Sequence, residues 1–150
     1  MTKGRIAGPL ASAAYQGQLW AVPFTTNTQL LWYRTDRVPE PPATWDELLH
    51  QAEALGPGGR FQAQGERYEG LTVFFVSLLA SAGGAVLDAT GQQVSLEPEP
   101  THKALILMKR LANSPAADPA LATSREDHTR LAFESGSSAA RPHDRSCGRM

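Results

Sequence analysis

The chain has one cysteine, Cys147, in 150 residues. A lone thiol excludes an internal disulfide and any multi-cysteine metal site. Cys147-Gly-Arg-Met150 has the length of a prenylation box but not its aliphatic pair, so no lipid is expected there. Histidine is sparse too. His50, His102, His128 and His143 show no His-x-x-x-His spacing, so they read as surface residues and no metal site is expected. Neither sign of charge dominates, with 14 Lys and Arg against 15 Asp and Glu. Without a basic stripe, nucleic acid is not an expected partner. No Gly-x-Ser-x-Gly elbow, phosphate-cradling loop or dinucleotide fingerprint occurs, which leaves no motif for a cofactor or for paired catalytic groups. Behind Met1-Thr-Lys-Gly-Arg5, Gly8-Pro9 and the polar Tyr15-Gln-Gly-Gln18 interrupt any apolar run, so no signal peptide is expected. The longest uncharged run, Gly70 to Leu87, holds three glycines and two serines, and reads as a buried helix closed by Gly83-Gly84.

Elements follow from the pattern that remains. Residues 1–14 read as a loop with a helical turn, and Tyr15 to Pro23 as a turn entering a strand, with Leu19, Trp20 and Val22 offered to the core. Leu30 to Tyr33 is a second strand. Trp32 and Tyr33 point to opposite faces of it, and both are expected to pack rather than to stack on a ligand. Arg34 and Asp36 are expected to pair locally. Thr44 and Glu47 form a capping box for a helix whose Leu48, Leu49, Ala52 and Leu55 share a face, with Trp45 packed at its start. A short strand near Phe61 to Ala63, a helix from Glu69 to Ala82 and a hairpin of 85–87 with 94–96 come next. An amphipathic helix from Pro100 to Ser114 buries Ala104, Leu105, Met108, Leu111 and Ala112. Ser124 is expected to cap a last helix, with Leu131, Ala132 and Phe133 inward and Gly136 as its stop. From Ser138 onward no apolar period of either kind remains, and no strand is expected.

One stretch does not fit a purely structural reading. In Pro23-Phe-Thr-Thr-Asn-Thr-Gln-Leu-Leu-Trp-Tyr-Arg-Thr-Asp36 a polar cluster abuts an aromatic strand. An amide such as Asn27 offers donor and acceptor together, which suits a polyhydroxylated ligand.

That stretch, with Tyr15-Gln-Gly-Gln-Leu-Trp-Ala-Val22 before it, Pro42-Ala-Thr-Trp-Asp-Glu-Leu-Leu49, and Tyr68-Glu-Gly-Leu-Thr-Val73 ending in Ser81-Ala-Gly-Gly84, resembles the extracellular solute-binding proteins of sugar ABC transporters. Within them it is most similar to the actinobacterial trehalose-binding lipoproteins. The resemblance spans residues 1–137 and three motifs in order. It implies an α/β chain: an internal piece of a periplasmic-binding-protein-like fold, comprising the hinge strand and most helices of the second lobe. Residues 138–150 are then an unrelated tail, disordered or out of frame.

The resemblance also implies a function. The whole protein would be a lipoprotein outside the cytoplasmic membrane, binding trehalose or a related α-glucoside between two lobes and delivering it to an ABC permease. Asn27 falls on a ligand-contacting position of the family pattern, flanked by Thr25 and Gln29. Tyr68 and Glu69 fall near a second sugar-contacting segment. No catalysis is expected. Glu69 with Glu126 or Asp127 would be the only carboxylates to suggest a glycosidase pair, and acids in a helix first turn are expected in any case. With no export signal, the chain as given would stay cytoplasmic. The alternative to a working receptor segment is a truncated or frameshifted remnant without function.

Overall fold

A computed structural model describes residues 7–24 and 27–146, apart from the side chains of residues 7, 27, 58 and 143–146. Thr25 and Cys147 lie outside the described residues. Among the described residues five α-helices, α1 (Ala7–Ser12), α2 (Trp45–Ala54), α3 (Glu69–Ser81), α4 (Pro98–Asn113) and α5 (Glu126–Glu134), accompany four strands, β1 (Ala14–Tyr15), β2 (Gln18–Leu19), β3 (Asn27–Tyr33) and β4 (Ala140–Ser146). The chain divides into two units, residues 1–30 with 144–150, and residues 31–143. The division falls inside β3, the strand that the family resemblance assigns to the hinge.

The first unit holds α1 and a tight β1–β2 hairpin, with Ala14 opposite Leu19 and Tyr15 opposite Gln18. Its turn is Gln16-Gly17, both with positive φ. Leu19, Trp20 and Val22 do not enter a core as the sequence suggests: they are 52%, 70% and 63% exposed. Trp20 instead turns its indole N–H to the Tyr15 carbonyl at 3.1 Å. A two-residue strand pair is too short to carry a buried face, so its apolar side chains stay at the surface.

The second unit is built around Phe61. Phe61 N–H donates to Ala116 O (2.8 Å) and Asp118 N–H to Phe61 O (3.2 Å) on one side. On the other, Gln62 N–H donates to Ala140 O (3.0 Å) and Ala139 N–H to Arg60 O (2.8 Å). Both bridges, to Ala117 and to Ala140, are parallel. β4 in turn pairs with β3. A central segment bonded on both edges by parallel neighbours is the doubly wound arrangement, which needs helices on its faces.

The helices supply that cover. Thr44 Oγ1 accepts from Glu47 N–H at 3.1 Å, while the Glu47 carboxylate reaches Ala43 N–H rather than Thr44. α2 buries Leu48, Leu49 and Ala52 as expected and leaves Leu55 exposed. Trp45 meets Phe61 and Phe74 edge to face at 6.5 and 6.3 Å. α3 contributes Phe74, Leu78 and Leu79; its Ser77 and Ser81 hydroxyls donate back to Val73 and Leu78 carbonyls, which hides their polarity. It stops at Gly83, whose φ of +85° only glycine adopts freely. No described helix is long and apolar enough to cross a membrane. α4 inserts Ala104 and Leu111, with Met108 half-buried, and leaves Leu105 and Ala112 outside. Its Arg110 reaches Asp46 of α2 at 2.6 Å. Leu87 bridges Val94 in the expected hairpin, and Arg34 pairs with Asp36 at 2.8 Å.

Two further expectations need correction. Ser124 does not cap α5: its hydroxyl donates to Ala120 O (2.8 Å), and the N-cap is Arg125, whose backbone N–H donates to His128 Nδ1 at 3.3 Å. Leu131 of that helix is 53% exposed. The second correction is β4, a strand where none is expected after Gly136. Its backbone bonds do not require an apolar period, because the residues beside Phe61 are small: Ser138, Ala139 and Ala140 are all at or below 2% exposure. Ser138 Oγ lies 2.9 Å from the carbonyls of both Arg60 and Ala140, so the hydroxyl is satisfied within the sheet. Arg141 is buried too, its guanidinium over the rings of Trp32 (5.9 Å) and Phe133 (5.5 Å). Desolvation draws its pKa downward, against the nearby Glu134 carboxylate.

Truncating a fully buried side chain should separate core from cover. Leu79→Ala, at 0% exposure on α3, is expected to cost about 2–5 kcal/mol. Leu105→Ala, half exposed on α4, should change stability by no more than about 0.5 kcal/mol. Urea unfolding of the two variants against the parent checks the contrast, and equal losses would refute this assignment of the core.

Candidate functional site

The sequence-selected residues fall into two groups, one in each unit. Asn27 opens β3 and Gln29 is half-buried along it, both in the first unit. Tyr68 and Glu69 belong to the second, at the start of α3.

In the second unit the chain from Gln64 to Tyr68 leaves the central segment and turns into α3. Glu66 N–H donates to Ser124 O (3.3 Å), which draws this turn against the segment that leads into α5. Two helix N-termini therefore lie side by side, and each carries acids in its first turn: Glu69 on α3, Glu126 and Asp127 on α5. Glu66 and Arg125 span the gap with a bidentate pair, Nε to Oε2 at 2.7 Å and Nη2 to Oε1 at 2.6 Å. The Arg125 hydrogen bond holds the Glu66 carboxyl below its usual range, and Glu66 raises the guanidinium in turn. Both groups are partly exposed, so the pair sets geometry more than stability.

The same guanidinium sits 5.0 Å above the Tyr68 ring. Tyr68 occupies the N-cap of α3 in extended conformation and makes no capping bond; its ring folds back over Gly70. A Cβ on Gly70 would collide with the Tyr68 hydroxyl and ring and come within 2.9 Å of Glu126 Oε1, so glycine is what admits the ring. The hydroxyl is buried without a well-formed hydrogen bond, although the Glu126 carboxylate is near enough to oppose its ionisation. Desolvation first, then Glu126, pushes the Tyr68 pKa far above the ordinary 10.0. Glu69 is exposed, with its carboxylate at the positive end of α3.

Sequence reasoning selects Tyr68 and Glu69 and raises Glu126 only as an imagined carboxylate partner of Glu69; it does not bring in Glu66 or Arg125. Glu66 and Arg125 are 59 residues apart, so no spacing rule joins them; only the backbone bond to Ser124 O does. No group of three or more possible metal ligands occurs among the described residues. His50, His102 and His128 are exposed.

Known proteins resemble this chain closely enough to be informative. Residues 4–142 match the family model described as bacterial extracellular solute-binding protein. A probable ABC transporter-binding protein of Deinococcus radiodurans is 32% identical over 137 residues, covering 82% of this chain and 32% of its own length. Among solved structures, the maltose-bound T. maritima MalE3 superposes with a TM-score of 0.82 at 31% identity, over 93% of this chain and 38% of that one. The GacH receptor of Streptomyces glaucescens, solved unliganded and with acarbose, follows at 0.76 and 25%, over 93% and 36%. A sugar transporter protein from Arthrobacter chlorophenolicus with bound laminaribiose superposes at 0.77 with 19% identity, a likeness of fold alone, over 92% and 36%. The chain spans about a third of the length of these relatives.

The buried Tyr68 hydroxyl makes stability sensitive to alkali. Its folded pKa is raised, so the neutral form favours the fold; that contribution is complete below pH 10 and is lost as pH rises toward the folded value. Unfolding free energy should fall above pH 10 in the parent and fall less steeply in Tyr68→Phe. Gly70→Ala should expel the ring and bring one tyrosine's titration, followed by ultraviolet difference absorbance, back toward 10. An unchanged titration in Gly70→Ala would contradict the packing of Tyr68 over Gly70.

Proposed function

The chain belongs to the bacterial extracellular solute-binding protein family, and on that premise we propose that it forms part of the sugar-binding component of an ABC importer. The observation that carries this reading is the match at 31% identity across 93% of the chain to a protein solved with maltose. The ligand class is an α-glucoside, trehalose or a close relative. The maltose and acarbose bound by two relatives support an α-linked glucose unit, and the resemblance to trehalose-binding lipoproteins supports trehalose among these. The receptor acts outside the cytoplasmic membrane as a lipoprotein, hands its sugar to a permease and performs no chemistry on it.

In this reading Thr25, Asn27 and Gln29 are sugar-contacting positions by the family pattern, and so are Tyr68 and Glu69. Amides and carboxylates pair with adjacent sugar hydroxyls, since each offers two sites in one plane, and an aromatic ring takes the apolar face. Exposed Glu69, at the start of α3, is free to accept from a hydroxyl pair. Tyr68, held by Arg125 and Gly70, is pre-oriented.

Affinity follows from the number of partners. Micromolar binding requires about −8 kcal/mol, and a hydrogen bond to a charged group contributes about 1.5–3 kcal/mol. Of the five side chains only Glu69 is charged; the four neutral ones contribute about 0.5–1.5 kcal/mol each, and once the cost of lost translational and rotational freedom is subtracted the sum falls short of that total. The chain alone should therefore bind trehalose or maltose no more tightly than about 1 mM. A nitrogen-15 titration should show saturable shifts at Gln29, Tyr68 and Glu69 that Asn27→Ala and Tyr68→Ala each weaken. Shifts confined to other residues would overturn the site, and calorimetric binding in the micromolar range would overturn the account of its affinity.

A further inference from the structure

His128, read from the sequence as a surface residue, is exposed but not idle. It stands three residues after the N-cap Arg125, and its Nδ1 accepts the Arg125 backbone N–H at 3.3 Å. A ring nitrogen that accepts carries no proton, so this bond requires the neutral imidazole with its hydrogen on Nε2. Arg125 is thus fixed at both ends. Its backbone is held by His128 and its guanidinium by Glu66, at 2.7 and 2.6 Å, and in that position the guanidinium lies 5.0 Å above the Tyr68 ring.

A charge on His128 acts against both ends. The protonated ring carries a hydrogen on each nitrogen, so Nδ1–H would face the Arg125 N–H and the two donors must part. The added charge also sits at the positive end of α5, where the helix disfavours it. Four acids attend the ring: Glu66 ahead of α3, near enough to be influenced by its charge, Glu126 and Asp127 in the same helical turn, and Asp118 on an open groove of about 360 Å3 that His128 also lines. That groove gives the ring room to turn.

We propose that His128 is a pH-sensitive latch on Tyr68: neutral, it keeps Arg125 over the ring; protonated, it releases the Arg125 backbone and competes for the Glu66 carboxylate, so that the ring loosens in acid. Histidine is the side chain that changes charge between about pH 5 and 8. Arg125 stays charged over that interval, and Glu66, held below its usual range, stays ionised, so neither supplies the transition. One consequence rests on the proposed sugar-contacting role of Tyr68: sugar is held less tightly in acid.

Glutamine at the same helical position also accepts from the N-cap N–H, but it does not titrate. In the parent, nuclear Overhauser contacts between the Arg125 methylenes and the Tyr68 ring should weaken about fivefold from about pH 8 to pH 5. In His128→Gln they should persist at both values. Should that variant fail to fold, the nitrogen-15 shifts of the His128 imidazole in the parent decide: Nδ1 should be unprotonated at about pH 8, and a proton there would overturn the latch. Equal contacts at the two pH values in the parent, or a loss that persists in His128→Gln, would overturn it as well. None of these readings needs a sugar. Maltose, followed through the Tyr68 amide, should bind the parent about fivefold more weakly in acid and His128→Gln equally at both pH values. A Tyr68 that responds to pH and not to maltose would overturn its sugar-contacting role while supporting the latch.

Discussion

Four backbone hydrogen bonds around Phe61 hold the second unit together. Arg60, Phe61 and Gln62 bond alternately to the 116–118 segment and to 139–140, so three stretches widely separated in sequence become neighbours in one sheet. A central parallel segment is buried on both faces, and residues 61–64 are all buried accordingly. The Phe61 side chain then meets Trp45, which ties α2 to the sheet, while Phe74 of α3 reaches the same tryptophan. Removing this segment would unpair two strands and uncover three helices at once. The remaining contacts, such as Arg110 with Asp46 and Ser114 with Glu53, lie at exposed positions and adjust helix orientation without supplying a core.

Because neighbours of the central segment are paid for in backbone bonds, their side chains are free to be small or even charged. Ala116, Ala139 and Ala140 are small and fully buried beside the central segment. Arg141 enters the interior between Trp32 and Phe133, whose ring faces replace part of its hydration. Gln62 and Gln64 keep a polar edge on an otherwise apolar strand. Buried amides of this kind favour one arrangement of neighbours over another through the partners they demand.

How far the sequence could be read depended on whether an element announces itself through side chains. Helices α2, α3 and α4 do so through capping residues and a 3.6-residue period, and their limits agree with the sequence reading to within two residues. The short strand expected near Phe61, inside a polar and loop-like stretch, is in the structure a single residue bridged on both sides. β4 is not legible, because Ala140, Arg141 and the Ser138 and Ala139 that lead into it carry no alternation, and only distant carbonyls reveal its role. The exposed hairpin misleads in the opposite direction: Leu19, Trp20 and Val22 look like core and have nothing to pack beneath them. Tyr68 and Glu69 stand out beside a helix start, whereas the cap of α5 passes from Ser124 to Arg125 because Ser124 is drawn instead to the Ala120 carbonyl. Asn27 rests on the family pattern rather than on any local geometry.

The pairing of Glu66 with Arg125 gives the proposed cleft wall a property that neither helix has alone. Tyr68 lies beneath the guanidinium that Glu66 orients, with its ring admitted by Gly70 and its hydroxyl facing Glu126. A tyrosine confined in this way has already given up most of its rotamer freedom in folding. A sugar that stacks on or bonds to its accessible edge therefore bears less ordering cost than it would against a mobile ring. The same confinement couples the two helix starts: any displacement of α5 moves Arg125, hence Tyr68, and so alters the wall at α3. In a protein whose function would rest on closure around a ligand, that link makes the position of α5 part of the binding energy, even though no residue of α5 belongs to the proposed contact set.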